Sequence, residues 1–469
     1  MLAPVAALLL SATILLAGNG LQTTLLPVRA EMEIFPAFSI GLMGSAYFLG
    51  FVAGCLLTSN LVRRVGHIRV FTAMVAGASA MPLVHILVID PVAWWVLRAV
   101  TGFCIAALFL VIESWLNERA DNHTRGAIFS IYTTLNYAAI TVGQLMIMFY
   151  DPRLFPLFAI ASVLVSVAAI PVALTTSAAP APLSNVRMRP LHLLRISPVG
   201  VVGCAAIGMC NGAFWSLGPA YAVGIGFNTT QIALFMSVTV IGGALSQWPF
   251  GRLSDRLDRR MVIIGVGVLS AMSGLGLFLV TGRWPAAIAP LAFAFGAFSF
   301  PVYALSVAHV NDLITNESFV EVSSGLLLVN GLAAVIGPLL AATAMGYAGP
   351  AALFLFIAII YLVLSAFAFL RMRIRPLPAE THGAEFVVVA ETVATNPVAL
   401  DPRADDASSD EEVAEGVEMQ AEPADVPEPG TPAEAQPHPE GATAQRSDHR
   451  ADQLEEGREE TGPPRKTDD

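Results

Sequence analysis

Apolar residues fill the first 375 positions in blocks too long and too uniform for the core of a water-soluble fold. A bilayer-spanning helix needs about 20 mostly apolar residues, because only a helix or a closed barrel satisfies every backbone N–H and C=O inside hydrocarbon. Blocks of that kind lie near 4–27, 38–61, 70–89, 92–116, 127–149, 154–175, 199–222, 229–250, 261–281, 286–310, 321–345 and 349–370. They predict twelve helices. A barrel would alternate apolar and polar positions in segments of roughly ten residues, which these blocks do not do. Pro82 and His85 interrupt the third block, and Pro301 and His309 the tenth. Membrane helices tolerate such breakers where neighbours re-satisfy the backbone. The first block has no basic region before it and stays apolar through Leu25 and Leu26, so it reads as a retained helix, not a cleaved signal.

Composition agrees with that pattern: 55% of residues are apolar and 13% charged, with a mean hydropathy of +0.67. An ordinary soluble enzyme is excluded. The net charge of −11 belongs to two different materials, since residues 1–375 hold 19 Arg against 12 acidic residues while 376–469 hold 6 basic and 24 acidic. No acidic, basic or nucleic-acid partner follows from the total. Arginine placement instead sets orientation. With the N-terminus inside, the cytoplasmic segments contain Arg63, Arg64, Arg69, Arg119, Arg125, Arg187, Arg189, Arg195, Arg252, Arg256, Arg259, Arg260, Arg371, Arg373 and Arg375. The opposite loops hold only Arg29, Arg153 and Arg283, so both termini are expected in the cytoplasm.

The chain also repeats itself. A shift of 192 residues places Asn19, Gly20, Leu25, Pro27 and Ala30 on Asn211, Gly212, Leu217, Pro219 and Ala222. A shift of 194 places Gly102, Asn117, Glu118, Asn136 and Gly143 on Gly296, Asn311, Asp312, Asn330 and Gly337. These matches predict an all-α membrane protein with two pseudo-symmetric six-helix halves, 1–175 and 199–375, joined by a cytoplasmic linker over 176–198. Two such halves rocking about a central cavity form an alternating-access architecture. The acidic stretch 376–469, rich in Glu, Asp, Ala and Pro, is expected to be a disordered cytoplasmic tail.

Motifs narrow the class. Gly251, Leu253, Asp255, Arg256, Arg259 and Arg260 form a loop that resembles the G-x-L-x-D-R-x-G-R-R motif of the major facilitator superfamily, with Asp258 where the pattern has Gly. The first-half loop keeps Arg63, Arg64 and Gly66 but replaces the motif's first Gly and its Asp. Arg98 and Gly102 resemble the superfamily's fourth-helix R-x-x-x-G motif, while the fifth helix lacks the Gly-Pro pair of antiporters and Gly337-Pro338 stands in the eleventh. Glu113, Trp115, Asn117 and Glu118, with His309, Asn311 and Asp312, are similar to the bacterial YcaD-like branch. The resemblance spans residues 1 to about 375 and implies a multi-pass protein of the bacterial inner membrane.

Polar residues within the apolar blocks are the candidate chemistry. Glu113, the only acidic side chain well inside a predicted span, is read either as a proton carrier, as a clamp on Arg63 or Arg64, or as an uninvolved snorkelling side chain. Arg98, roughly 22 Å away along the same helix, has two readings: a fork on carbonyls or polar groups of the first helix, as the family motif implies, or an anion site. Asn19 and Gln22 share one face of the first helix, and Asn211, Phe214 and Trp215 one face of the seventh. First and seventh helices line the cavity in this superfamily, so amides and aromatics there suit a polar organic solute with an apolar or planar part. The same amides also serve as interhelical glue, and Asn136, Gln144 and Asn330 carry the same two readings. His309 is read as a proton relay or as a hydrogen-bonded structural residue.

Other chemistries lack a pattern. Cys55, Cys104, Cys204 and Cys210 are dispersed without metal-ligand spacing, and no phosphate loop or nucleophile–base pair has a setting. Neither a metal nor a cofactor is expected, and the chain does not read as an enzyme. Asn228-Thr229-Thr230 matches a glycosylation sequon. The expectation is a secondary active transporter that moves a small organic solute through the lipid bilayer, with a proton as coupling ion. A non-transporting membrane receptor or scaffold is the alternative, and efflux versus nutrient uptake stays open.

Overall fold

The apolar blocks fold as helices in the computed structural model, which describes residues 3–119, 122–173, 190–314 and 319–374. The first half comprises α1 (Ala3–Met32), α2 (Ala37–Val65), α3 (His67–Leu87), α4 (Pro91–Arg119), α5 (Asn122–Leu145), α6 (Phe155–Val167) and α7 (Ala169–Ala173). After the short α8 (Pro190–Ile196) follow α9 (Pro198–Gly224), α10 (Thr229–Arg256), α11 (Arg259–Val280), α12 (Ile288–Ser299), α13 (Pro301–Asn311), α14 (Phe319–Ala348) and α15 (Ala352–Ile374). All regular structure among the described residues is helical. Residues 174–189, which hold most of the expected linker, and everything after 374, including the acidic tail, lie outside the described residues.

Among the described residues, eleven segments are long and apolar enough to cross a membrane, counting α6 with α7 and α12 with α13. The predicted fifth span is present as α5 but is less apolar, because Ser130, Thr133, Thr134, Asn136, Thr141 and Gln144 dilute it. It packs between α1 and α10, so protein rather than lipid receives much of its surface. Elsewhere large apolar side chains face outward: Leu245, Met272 and Val363 are each more than half exposed. That inverts the pattern of a soluble protein and suits contact with lipid.

Helix breaks follow local chemistry. Pro301 opens α13, where the missing N–H does no harm, and the tenth block bends at Phe300. Pro82 lies inside α3 without dividing it. The break between α6 and α7 falls at Ala168, whose freed carbonyl accepts a 2.5 Å bond from the Ser11 hydroxyl of α1. Asn228, the sequon residue, closes a capping box with Gln231 at the start of α10.

The internal repeat holds in three dimensions. In the first half α1 packs on α5, α2 on α4 and α3 on α6; in the second α9 packs on α14, α10 on α12 and α11 on α15. Glycines mark the crossings at matching positions. A Cβ on Gly102 would strike the backbone of Tyr47, and one on Gly296 that of Thr239. Gly50 meets the Ala99 carbonyl as Gly242 meets that of Phe293, and Gly143 meets Ala17 as Gly337 meets Met209. Every one of these pairs is related by the shifts of 192 and 194 read from the sequence. Small residues let helix backbones approach closely where lipid supplies no hydrophobic drive to associate.

Between halves, α2 meets α9 and α14, while α5 meets α10. Gly41 faces the Ala342 Cβ and the Pro338 carbonyl, and Gly44 faces the Ser216 side chain. Both lie near the start of α2, at the end of the bundle opposite the arginine-rich loops. Here the halves touch through residues with no side chain to spare.

Candidate functional site

An aromatic and amide wall forms where the halves approach. The bend at Phe300 puts its ring 6.1 Å from Trp215 of α9 and 6.5 Å from Tyr137 of α5, centroid to centroid. Gly243 of α10 makes room, since a Cβ there would enter the Phe300 ring. The Gln247 amide of α10 donates to the Tyr137 hydroxyl at 3.3 Å across the half boundary. The Gln247 Oε1, Trp215 Nε1 and Asn211 Oδ1 atoms are buried without a hydrogen-bond partner. Leaving such an atom unsatisfied costs about 1–3 kcal/mol, so these three atoms are sites where a further hydrogen bond would stabilise. Phe214, buried like Phe300, packs against Phe235 and Phe295 of the second half and touches Trp215 edge-on.

Helix α4 carries two polar centres. Toward its start, the buried Arg98 guanidinium lies 4.2 Å from the centroid of the Tyr47 ring, with Nε and Nη1 unpartnered. The half-buried Asn19 neighbours the Tyr47 hydroxyl and has an unpartnered Oδ1. The guanidinium thus lies over an aromatic face of α2, and its Nε and Nη1 do not bond the carbonyls or polar groups of the first helix. Toward the other end, Glu113 is fully buried and accepts a 3.3 Å bond from the Tyr132 hydroxyl of α5, with Cys55 of α2 close to its charge. Arg63 donates to the Asn60 side chain at the exposed end of α2, and Arg64 is exposed.

The remaining amides differ among themselves. Asn330 donates to the Cys204 carbonyl of α9 at 3.3 Å, which is interhelical glue. Its counterpart Asn136, and Gln144 two turns on, are fully buried with neither side-chain polar atom bonded. Gln22 is buried with an unpartnered Nε2. Two residues of matching sequence position therefore do different work, one bridging helices and the other holding free polarity inside the first half.

At the arginine-rich end the loop motif becomes a charge lattice. Gly251 is buried at the close of α10 and Arg256 is exposed. The buried Arg259 places Nε 2.7 Å from Asp312 and Nη2 3.5 Å from Asp255. Asp258, standing where the motif has Gly, caps α11 by accepting from the Arg260 N–H and pairs with its guanidinium at 3.2 Å. Buried His309 sits among the charges of Arg259, Arg260 and Asp258. In the first half His67 occupies the position of Arg259, stacks on Trp115 and meets the Ser114 hydroxyl at 3.4 Å. Asp312→Asn is expected to cost about 3 kcal/mol, as breaking a buried pair does, and to lower the melting temperature in detergent. The control Asp255→Asn, on the longer contact, should change it much less.

Tyr47, Tyr132, Tyr137, Gln247 and Phe300 were not singled out from the sequence. Aromatic residues in apolar blocks look alike until their neighbours are known. Gln247 was missed although it is an amide in an apolar run, the same signal that marked Gln144.

Residues 8–282 and 201–404 match the family model described as Major Facilitator Superfamily. An uncharacterised MFS-type transporter from Enterobacter sp. (strain 638) is 28% identical over 379 residues, covering 79% of this chain and 95% of that protein. The YcaD transporter of Escherichia fergusonii, also uncharacterised, is 27% identical over 76% of this chain and 92% of its own length. Among solved structures, the nucleoside transporter NupG superposes with a TM-score of 0.66 at 13% identity, over 79% of this chain and 99% of that one. A bacterial homologue of the human lysosomal transporter Spinster, inward-facing and unoccupied, gives 0.64 at 15% identity over 80% and 98%.

Proposed function

The chain belongs to the Major Facilitator Superfamily and is a multi-pass membrane transporter, and from that premise we propose that it moves a small organic solute by alternating access, driven by protons. The carrying observation is the wall shared by both halves: Trp215 and Phe300 from the second, Tyr137 from the first, with Gln247 bridging to it. A flat or partly apolar solute with hydrogen-bonding groups fits that lining. Close contact of Gly41 and Gly44 with the second half supports a state sealed at the arginine-poor end. The positive-inside rule makes that end the periplasmic one and leaves both termini in the cytoplasm. No step here makes or breaks a covalent bond, so the protein acts as a carrier and not as an enzyme.

Coupling is assigned to Glu113. It is a fully buried carboxyl group inside a span, where ionisable residues mark ion and proton pathways, and it accepts from the Tyr132 hydroxyl. Its protonation then follows whichever side the cavity opens to. In proteoliposomes screened with organic solutes, Glu113→Gln should abolish accumulation driven by a pH gradient while preserving exchange of solute down its own gradient. Accumulation unchanged by the substitution would remove Glu113 from coupling.

A further inference from the structure

Among the described residues Arg98 has no counter-ion. It is 4% exposed, its Nε and Nη1 make no hydrogen bond, and the groups its charge acts on are Tyr47 and His85, neither of them an anion. Among the described residues no carboxylate pairs with it. The Tyr47 ring offsets only part of the cost of its burial, because a cation–π contact is weaker than the hydration it replaces. A guanidinium stays charged in proteins, so burial leaves it in need of an anion. A structural fork would have its N–H groups on carbonyls. Here an aromatic ring covers one face, and Nε and Nη1 are buried without an acceptor, the unmet valence that a planar oxyanion would satisfy.

The location favours a solute. Tyr47 lies three residues from Gly44 on α2, and Gly44 is where Ser216 of α9 crosses from the other half. Ser216 follows Trp215, so Arg98 stands within a few helical turns of the aromatic wall. Asn19, beside the Tyr47 hydroxyl, adds a further amide.

We infer that Arg98, seated on Tyr47, is the binding site for the carboxylate of an organic anion, which makes the transported solute a carboxylate-bearing compound with a flat or apolar body. This deepens the transport reading and rests on it for the fate of the bound anion, though not for its binding.

The test is thermal melting of the purified full-length protein with chloride as the sole background anion, followed by addition of sodium benzoate, sodium phosphate or uncharged benzamide. Removing an uncompensated charge should not destabilise, so Arg98→Met is expected to melt at or above wild type in chloride. Benzoate should raise the wild-type melting temperature by at least about 2 °C, as ligand linkage requires, and leave Arg98→Met unmoved. Arg98→Lys, which keeps the charge without the fork, should show a reduced shift. Benzamide should do nothing. The inference is overturned if neither anion shifts wild type, if the benzoate shift persists in Arg98→Met, or if that variant melts well below wild type. An equal response to phosphate would assign the site to inorganic oxyanions and overturn the organic solute. Flux of an uncharged solute that survives Arg98→Met would leave transport standing without the anion site. Benzoate stabilisation in a protein that moves no solute would do the reverse.

Discussion

Gly102→Leu is expected to reduce the yield of folded, monodisperse protein by at least about tenfold, which corresponds to roughly 1.4 kcal/mol or more. Any Cβ at this position meets the Tyr47 carbonyl of α2 and approaches the Phe51 nitrogen at 3.0 Å. Backbone cannot step aside as a rotamer does, so α2 and α4 must separate along their shared face. Overpacking of ordinary side chains already costs about 1–3 kcal/mol, and a backbone collision exceeds that. The same separation withdraws Tyr47 from Arg98, coupling fold and site. Gly265→Leu on α11 is the matched control, because a Cβ there meets nothing within 4 Å. Size-exclusion profiles and melting curves of the two variants check the prediction. Equal stability would show that the α2–α4 crossing does not depend on Gly102.

Gly44→Leu should leave a folded protein that has lost transport by about two orders of magnitude. The contact it disturbs lies between halves: the new side chain meets Ser216 of α9, and Pro338 of α14 is 3.5 Å from its Cβ. The clash sits at the arginine-poor end of the interface between the halves and is relieved when that end opens. A wedge worth about 2.7 kcal/mol shifts a two-state equilibrium a hundredfold. Melting temperature should change little and solute flux should collapse. Loss of folded protein would instead place Gly44 with Gly102 as a packing residue.

Most of the architecture was legible because a bilayer imposes a simple rule: long apolar blocks become helices. Pro301 marked the bend at Phe300, and Ala168 marked no break because its cause is a hydroxyl on a distant helix, Ser11. The repeat was legible down to single glycines, since Gly102 and Gly296 serve the same crossing in each half. Sites were less so. Asn19, Gln22, Asn211 and Trp215 announced themselves as polar or amphipathic residues in apolar runs. Yet Asn136 and Asn330, equal by sequence, part company because only Asn330 finds a carbonyl to bond. Phe214 and Trp215 are neighbours in the chain, but only Trp215 lies near the Phe300 ring while Phe214 packs on Phe295. Such distinctions come from pairs of elements, and a single chain pattern holds no record of them.

Rocking of two rigid halves is the centre of this account, and paired spin labels measure it directly. One pair, Ile34→Cys with Tyr347→Cys, reads the arginine-poor end through two strongly exposed positions in different halves. The other, Arg64→Cys with Arg256→Cys, reads the opposite end through exposed residues related by the repeat. With Cys55, Cys104, Cys204 and Cys210 replaced, distances are recorded by double electron–electron resonance in otherwise native protein and in Gly44→Leu. With rocking halves, the wedge lengthens the Ile34–Tyr347 distance and shortens the Arg64–Arg256 distance together. Lengthening at one end with no change at the other would show a local lesion and contradict the rocking of two halves.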